Sequence, residues 1–386
     1  MKFIPSVNLQ CISLTEKRDS RFYEELNASP NWWESKSFFR YPALLVSAHY
    51  VSKGIKNDTF RKNNNIPDDD FLVMGDSGGY QALSLGISNH NIDKKSLLWW
   101  QEKNCNIGMS LDEPLAKGDI SLDIQRKFKH DMNNVKEAIE YRRKELYPKM
   151  KFYGATHGWN EKSLKKYHNE LPKDKLDGYG IGECTIGLND SEENILSRIA
   201  LECQLNDDKK PMHILGTSSP IIITFLSMLE EKEGIEFTYD STSYMRGSRH
   251  HSYVIDCLDS KSMTINKNTT EKQLPCGCPV CSKVSIDDMK GSDGQSALLI
   301  DLHNLWKEIQ FYDSLYDYDL DVLKKRYPKK KSIKKIEQYQ KLGLDKFVKM
   351  FPYTNKFQAS SVDLSKFLGK DFVDTSYKIK DSDYET

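Results

Sequence analysis

The chain has 386 residues, of which 56 are basic and 56 acidic, giving a formal charge of zero, with 38% hydrophobic side chains and 8 cysteines. That length exceeds the size at which a single hydrophobic core stops growing, so one large domain with appendages, or two domains, is expected. Zero net charge excludes neither nucleic acid nor a membrane surface, because local patches outweigh the sum. A mean hydropathy of −0.65 marks a polar, soluble chain, and its longest apolar stretch, Ile221 to Leu229, is too short to span a bilayer. The start Met1-Lys-Phe-Ile-Pro5 has no signal-peptide pattern, which predicts a cytoplasmic protein without a membrane partner.

Short apolar or β-branched runs alternate along the chain with helical patterns. The strand candidates are Phe3 to Leu9, Ala43 to Ala48, Phe71 to Gly75, Ile107 to Leu111, Lys151 to Ala155, Gly178 to Ile186, Met212 to Leu215 and Phe237 to Tyr239. Between the fourth and fifth, Phe128, Met132, Val135 and Ile139 recur at helical steps, the mark of one buried helix face and a core feature rather than a functional one. Ile195, Leu196, Ile199 and Cys203 read the same way. Eight such runs alternating with helices predict an α/β protein with a (β/α)8 barrel over residues 1–260. A doubly wound sheet would alternate similarly, but no glycine-rich dinucleotide loop opens its first unit.

From the third run onward, the strand ends carry chemistry: Asp76, then Asp112 and Glu113, His157, Glu183 and Asp240. In a barrel these carboxyl ends share one mouth, so residues distant in sequence become neighbours. Each alone reads equally well as a helix cap or loop acid; their succession points to a site. The third run closes on Asp76-Ser-Gly-Gly-Tyr-Gln81. Its glycines remove the Cβ atoms that would hold a flat ligand away from the backbone, and Tyr80 supplies a face to stack on. By itself the hexapeptide is equally a tight turn.

Five cysteines are scattered singly (Cys11, Cys105, Cys184, Cys203, Cys257), whereas Cys276, Cys278 and Cys281 crowd into Pro-Cys-Gly-Cys-Pro-Val-Cys. Bridging such close neighbours would strain the backbone, and clustered cysteines in a cytosolic chain are more often a metal site. His303, the one histidine after His251, lies in a helically spaced apolar segment and completes a Cys3His set suited to tetrahedral Zn2+. Four protein ligands leave no open position, so the zinc is expected to be structural, within a subdomain at 261–310. The bland alternative is a reduced cysteine cluster in a loop, with His303 on a helix face. Residues 311–386 read as a helical, basic extension and tail. Eight of the twelve positions from Lys324 to Lys335 are Lys or Arg, after an acidic, tyrosine-rich stretch from Asp313 to Asp321. Such a run is more often a solvated surface than a phosphate track. The polar segment from Asp374 to Thr386 is expected to fray.

Taken together, these segments resemble the tRNA-guanine transglycosylases. Asp76-Ser-Gly-Gly-Tyr-Gln81 is similar to that family's signature, Met109-Ser-Leu-Asp112-Glu113 to its base-recognition strand, and Gly178 to Gly187 to its glycine-rich sixth strand. Tyr239-Asp240-Ser-Thr-Ser-Tyr-Met-Arg246-Gly-Ser-Arg249 resembles its nucleophile segment, and Cys276, Cys278, Cys281 and His303 match its zinc ligands. The resemblance implies that Asp240 attacks C1′ of a guanosine nucleotide and that Asp76 is the general acid and base. It implies Asp112 as the acceptor for guanine N1–H and the exocyclic amine, with Tyr80 stacking. Ser77 and Gly182 would complete the pocket, and Arg246 and Arg249 would hold phosphates.

The departures are specific. His157-Gly158 stands where the family usually carries Gln-Gly, and Gly182-Glu183-Cys184 where it carries Gly-Gly-Leu. Leu188 replaces an acid, and Pro114 stands where bacterial members commonly have cysteine. A histidine can donate to guanine O6 or N7, whereas Glu183 either points at the 7-substituent or turns away. These changes favour the DpdA-type branch, which inserts 7-deazaguanines such as preQ0 into DNA. The second reading is a divergent tRNA enzyme, and the third an inactive nucleic-acid-binding paralogue serving as partner subunit, against which retention of both Asp76 and Asp240 argues. The expected partners are DNA first, tRNA second, and a 7-deazaguanine base, with room for a homodimer or a helper protein.

Overall fold

The computed structural model describes residues 1–7, 21–47, 59–67, 70–79, 93–115, 119, 121–145, 149–184, 191–245, 247, 250–258, 261–291, 294–315 and 320–354. Eight parallel strands form one sheet: β1 (Lys2–Pro5), β2 (Ala43–Ser47), β3 (Leu72–Asp76), β4 (Ile107–Met109), β5 (Lys151–Thr156), β6 (Gly178–Ile181), β7 (Met212–Ile214) and β8 (Phe237–Ser241). Each strand from β2 to β7 pairs with its successor in sequence, and β8 returns to pair with β1, Ile4 lying opposite Asp240. The remaining seam is closed by a parallel bridge between Ser6 and Leu45, with Val7 N–H donating to the Leu45 carbonyl at 2.8 Å. This is the barrel that the alternation of runs predicts, and all eight runs contribute a strand. β6 ends at Ile181, short of the expected Ile186, because Glu183 takes a left-handed φ of 58°, which a strand cannot continue.

Helices cover the outside, and their ends are written in the sequence. Asp93 caps Lys94–Asn104 through Ser96 N–H, Asn160 and Ser163 form a capping box for Glu161–Glu170, and Ser191 caps Glu192–Leu205. Pro220 opens the helix Pro220–Glu233, and Gly234, at φ 69°, closes it. The large core lies between strands and helices and includes Phe128, Met132 and Val135 together with Ile195, Leu196 and Ile199. A second, separate cluster of Ile4, Ala43, Leu45, Met74, Ile107 and Met109 fills the barrel interior. Gly180 makes room for it, since a Cβ there would sit 1.8 Å from the Met109 methyl.

Strand alternation then decides what stands above that floor. Ser6 follows Ile4 by two positions and Asp76 follows Met74 by two, so both face inward at the carboxyl end. The polar mouth is therefore built by the same period that builds the apolar floor.

Beyond the barrel, β9 (Ser252–Asp256) and β10 (Lys261–Thr264) form an antiparallel hairpin. The long helix Gly294–Leu315 packs on it and also against β1. The helices Lys331–Leu342 and Leu344–Met350 lie on the helix Glu192–Leu205, anchoring the extension to the barrel wall. Among the described residues no helix is long and apolar enough to cross a membrane.

Candidate active site

Asp240 lies near the end of β8, 7% exposed, and both of its oxygens are engaged. Ser6 Oγ donates to Oδ2 at 2.9 Å, and Gly216 N–H donates to Oδ1 at 2.7 Å. His213 Nε2 stands 3.3 Å from Oδ1, while its Nδ1 meets Thr238 Oγ1 at 2.8 Å. Each oxygen thus accepts one hydrogen bond, with the His213 ring an additional close neighbour of Oδ1.

Asp76 ends β3 on the same mouth, 9% exposed. Burial, reinforced by the carboxylates of Asp112 and Asp240, pushes its carboxyl up to about 7. The turn that follows is shaped by its glycines. Gly78, at φ 84°, bends the chain so that its N–H reaches Asp76 Oδ2 at 3.2 Å. Gly79 lies against the next loop, where a Cβ would sit 2.8 Å from both the Asp112 carbonyl oxygen and Pro114 Cδ. Ser77 Oγ donates to Asp112 Oδ1. Residues 76–79 and the loop after β4 therefore form adjoining walls, with Asp76, Ser77 and Asp112 converging.

Behind Asp112 lies a buried ionic network. The His157 ring is 0% exposed, with Nδ1 3.0 Å from Glu183 Oε1. Its Nε2 is 3.2 Å from Asp112 Oδ2 and 3.7 Å from Asp131 Oδ2. Burial works to discharge the ring, but the carboxylates of Asp112, Glu183 and Asp131 outweigh it and hold the pKa up to about 10. Glu183 Oε2 in turn accepts from Arg198 Nη1 at 2.9 Å. Against the effect of burial, Arg198 and His157 keep the Glu183 carboxyl below its ordinary value. Arg198 also donates to the carbonyls of Gly158 and Thr156 and contacts the Tyr353 hydroxyl. Burial raises Asp131 to about 6 and raises Glu202 as well.

The candidate metal centre lies apart from the mouth. The ligand atoms of Cys276, Cys278, Cys281 and His303 lie within 4.8 Å of one another. His303 Nδ1 is 3.3 Å from the sulfurs of both Cys278 and Cys281, close to the roughly 3.6 Å edge of a tetrahedral zinc site with N and S ligands. Its Nε2 lies 2.8 Å from the Val254 carbonyl, which fixes the proton on Nε2 and leaves Nδ1 to face the thiols. Tyr253 stacks on the ring at 3.7 Å. Donor set, tautomer and spacing all suit a metal ion.

Of the residues singled out in the sequence, Asp76, Ser77, Asp112 and Asp240 come together at the mouth. Gly182 abuts the His157 ring, a Cβ there lying 3.4 Å from Cε1. His157 and Glu183 face each other rather than open space, and Glu183 has turned away toward Arg198. Glu113 is taken up by a two-pronged ion pair with Arg126. Tyr80, Arg246 and Arg249 lie outside the described residues, as do Gly187, Leu188 and the tail. Sequence reasoning missed Ser6, His213, Asp131 and Arg198. The signal for the last two was charge placed on otherwise apolar helix faces, beside Phe128 and Met132 and beside Ile195 and Ile199.

Comparison with known proteins places these features in a family. The family model described as queuine tRNA-ribosyltransferase matches residues 60–315, a span that holds Asp76, Asp112, Asp240 and all four candidate metal ligands. The tRNA-guanine(15) transglycosylase of Sulfolobus acidocaldarius is 25% identical over 278 residues, 69% of this chain and 51% of that protein. Those of Aeropyrum pernix and Methanosarcina mazei are 25% and 24% identical, each over 61% of this chain and 44% and 45% of their own lengths. The chain thus spans about half the length of the curated relatives it matches. With more than half of its residues covered by the family model, the chain belongs to the queuine tRNA-ribosyltransferase family.

Proposed function

We propose that this chain is a guanine transglycosylase, a pentosyltransferase that exchanges guanine in a polynucleotide for a 7-deazaguanine. The observation that carries the reading is a pair of acids at one mouth in opposite environments. Asp240 is held by Ser6 O–H and Gly216 N–H, donors that suit an ionised nucleophile. Asp76, raised to about 7, can give or take a proton near neutrality.

The chemistry then runs in two displacements. A carboxylate oxygen of Asp240 attacks C1′, the C1′–N9 bond breaks, and the departing guanine receives a proton from Asp76. The incoming base loses its N9 proton to Asp76, N9 attacks C1′, and Asp240 leaves as carboxylate. This is the retaining logic of two carboxylates applied to an N-glycosidic bond. Asp112, oriented by Ser77, accepts from N1–H and the exocyclic amine, a match that adenine cannot make. Tyr80 stacks on the base, the Gly182 backbone borders it, Arg246 and Arg249 hold phosphates, and the target nucleotide is flipped to enter. Cys276, Cys278, Cys281 and His303 would hold zinc as a structural ion with no open position.

For the polymer, tRNA has the better support. The DNA reading drew on altered pocket residues and divergent termini; the contact of His157 with Glu183 at 3.0 Å weakens the first of these, and the named relatives act on tRNA. Incubation with labelled guanine and either tRNA or duplex DNA tests both. Label entering tRNA supports this reading, label entering only DNA reverses the choice of polymer, and label entering neither refutes the activity.

A further inference from the structure

His157 and Glu183 are left unassigned by that reading, yet they sit at the centre of a deeply buried charge cluster with Asp112, Asp131 and Arg198. We propose that His157 is a standing imidazolium, a positioning residue clamped between Asp112 and Glu183, which holds Asp112 as an oriented carboxylate for the two donors of a guanine-type base. The inference rests on the guanine reading for its ligand but on geometry for its charge.

The geometric argument concerns lone pairs. Nδ1 faces Glu183 Oε1 at 3.0 Å, and Nε2 faces Asp112 Oδ2 at 3.2 Å. A neutral imidazole carries a proton on one nitrogen and a bare lone pair on the other. Either neutral tautomer would therefore set a lone pair against carboxylate oxygen. With both carboxyls ionised, only the doubly protonated ring is attracted to both sides.

The surroundings agree from every direction. Asp112 approaches from the loop after β4, Glu183 from the turn after β6, and Asp131 from the helix Ser121–Glu145. The Tyr167 ring closes the remaining side edge-on at 5.8 Å. Behind Glu183 stands Arg198, whose second nitrogen lies 3.6 Å from Glu202. With Glu202 pushed toward its protonated form by burial and Asp131 raised to about 6, the carboxylates of Asp112 and Glu183, joined by Asp131 above pH 6, meet two cations, His157 and Arg198. Pairing of opposite charges is what allows ions to stay buried.

Glu183 is placed for this purpose despite its backbone. Its φ of 58° is a conformation that disfavours any residue with a Cβ. Its side chain nevertheless serves His157, Arg198 and the Leu115 N–H rather than the pocket. A 7-substituent on the incoming base therefore does not meet this carboxylate.

The consequence for recognition follows from the same accounting. A carboxylate oxygen offers about two lone-pair sites. Ser77 O–H donates to Oδ1, and the charged ring stands 3.2 Å from Oδ2, which favours Asp112 as an ionised acceptor for a paired N1–H and amine. Without the imidazolium, Asp112 would lose the cation that keeps it ionised, and a protonated carboxyl cannot accept from both donors.

Nitrogen NMR of the histidine rings, with His157 assigned by its disappearance in His157→Gln, tests the charge directly. Both ring nitrogens protonated at about pH 8 is the expected result; a single protonated nitrogen there overturns the proposal. Glu183→Gln, which keeps the side chain's shape, should bring the His157 titration down into the accessible range. Calorimetry with free guanine provides the second readout. His157→Gln and Glu183→Gln should each weaken guanine binding by at least about tenfold and weaken tRNA binding less, because phosphate contacts outside the pocket also hold tRNA. Equal loss of both affinities, or none, refutes the positioning role. Wild-type protein that binds no guanine overturns the reading of the site itself, whereas a neutral ring in protein that binds guanine overturns only the charge state.

Discussion

Replacing Asp76 by asparagine should stabilise the protein in a pH-dependent way while abolishing base exchange. In the folded chain the Asp76 carboxyl is raised from 3.8 to about 7, first by burial and then by Asp112 and Asp240. A folded value above the unfolded one means that the stability Asp76 contributes is fully present below about pH 4 and is lost as pH rises through 7. At about 1.4 kcal/mol per pH unit, the loss by pH 8 amounts to about 4 kcal/mol as an upper bound. Asparagine carries no charge, retains an oxygen to accept from Gly78 N–H, and suffers no such loss. The variant's advantage should therefore widen by about 2.5 kcal/mol between pH 5 and pH 8, read from urea denaturation as a shift of the midpoint by about 1 M. A gap that stays constant across that range, or a variant less stable than wild type at pH 8, would show that Asp76 is not held against ionisation and would remove its case as general acid.

Three further outcomes follow from the geometry. Arg198→Met strands Glu183 as a buried charge and should lower stability by about 3–5 kcal/mol in denaturant melts; Glu183→Gln in the same chain should recover part of it, and strictly additive losses would contradict the coupling. Chelation of the metal, or Cys278→Ser, should lower the melting temperature while leaving guanine affinity intact in protein that stays folded, so unchanged melting of metal-free protein would refute a structural ion. Gly79→Ala drives a Cβ toward the Asp112 carbonyl and Pro114, each at 2.8 Å; it should raise KM for the base by about tenfold or more, and unaltered kinetics would mean that these walls are not the pocket.

How much of this was legible in the sequence differs by residue. The barrel was, because each strand run carries its own period and its own apolar partners, and because the helix stripes at Phe128 and Ile195 are long enough to be unambiguous. The metal centre was legible for a local reason, three of its four ligands being neighbours in sequence. Asp76, Asp112 and Asp240 could be placed at one mouth because topology alone brings strand ends together. The partners of those acids could not. Ser6 reaches Asp240 across 234 positions, and nothing near Ser6 announces that it is the strand on which the barrel closes. His157 stands where the resembling family carries a glutamine, and nothing beside it in sequence shows that its ring faces Asp112 and Glu183. The decisive neighbours, Asp131 and Arg198, lie on helices whose apolar stripes hid them.

The central claim is that Asp240 carries the sugar. Wild-type protein incubated with tRNA in the absence of an incoming base, quenched in denaturant and digested, should yield a covalent nucleotide adduct on the peptide containing Asp240, and Asp240→Asn should yield none. An adduct that persists in that variant, or one mapped to Asp76 in the wild type, would contradict the account.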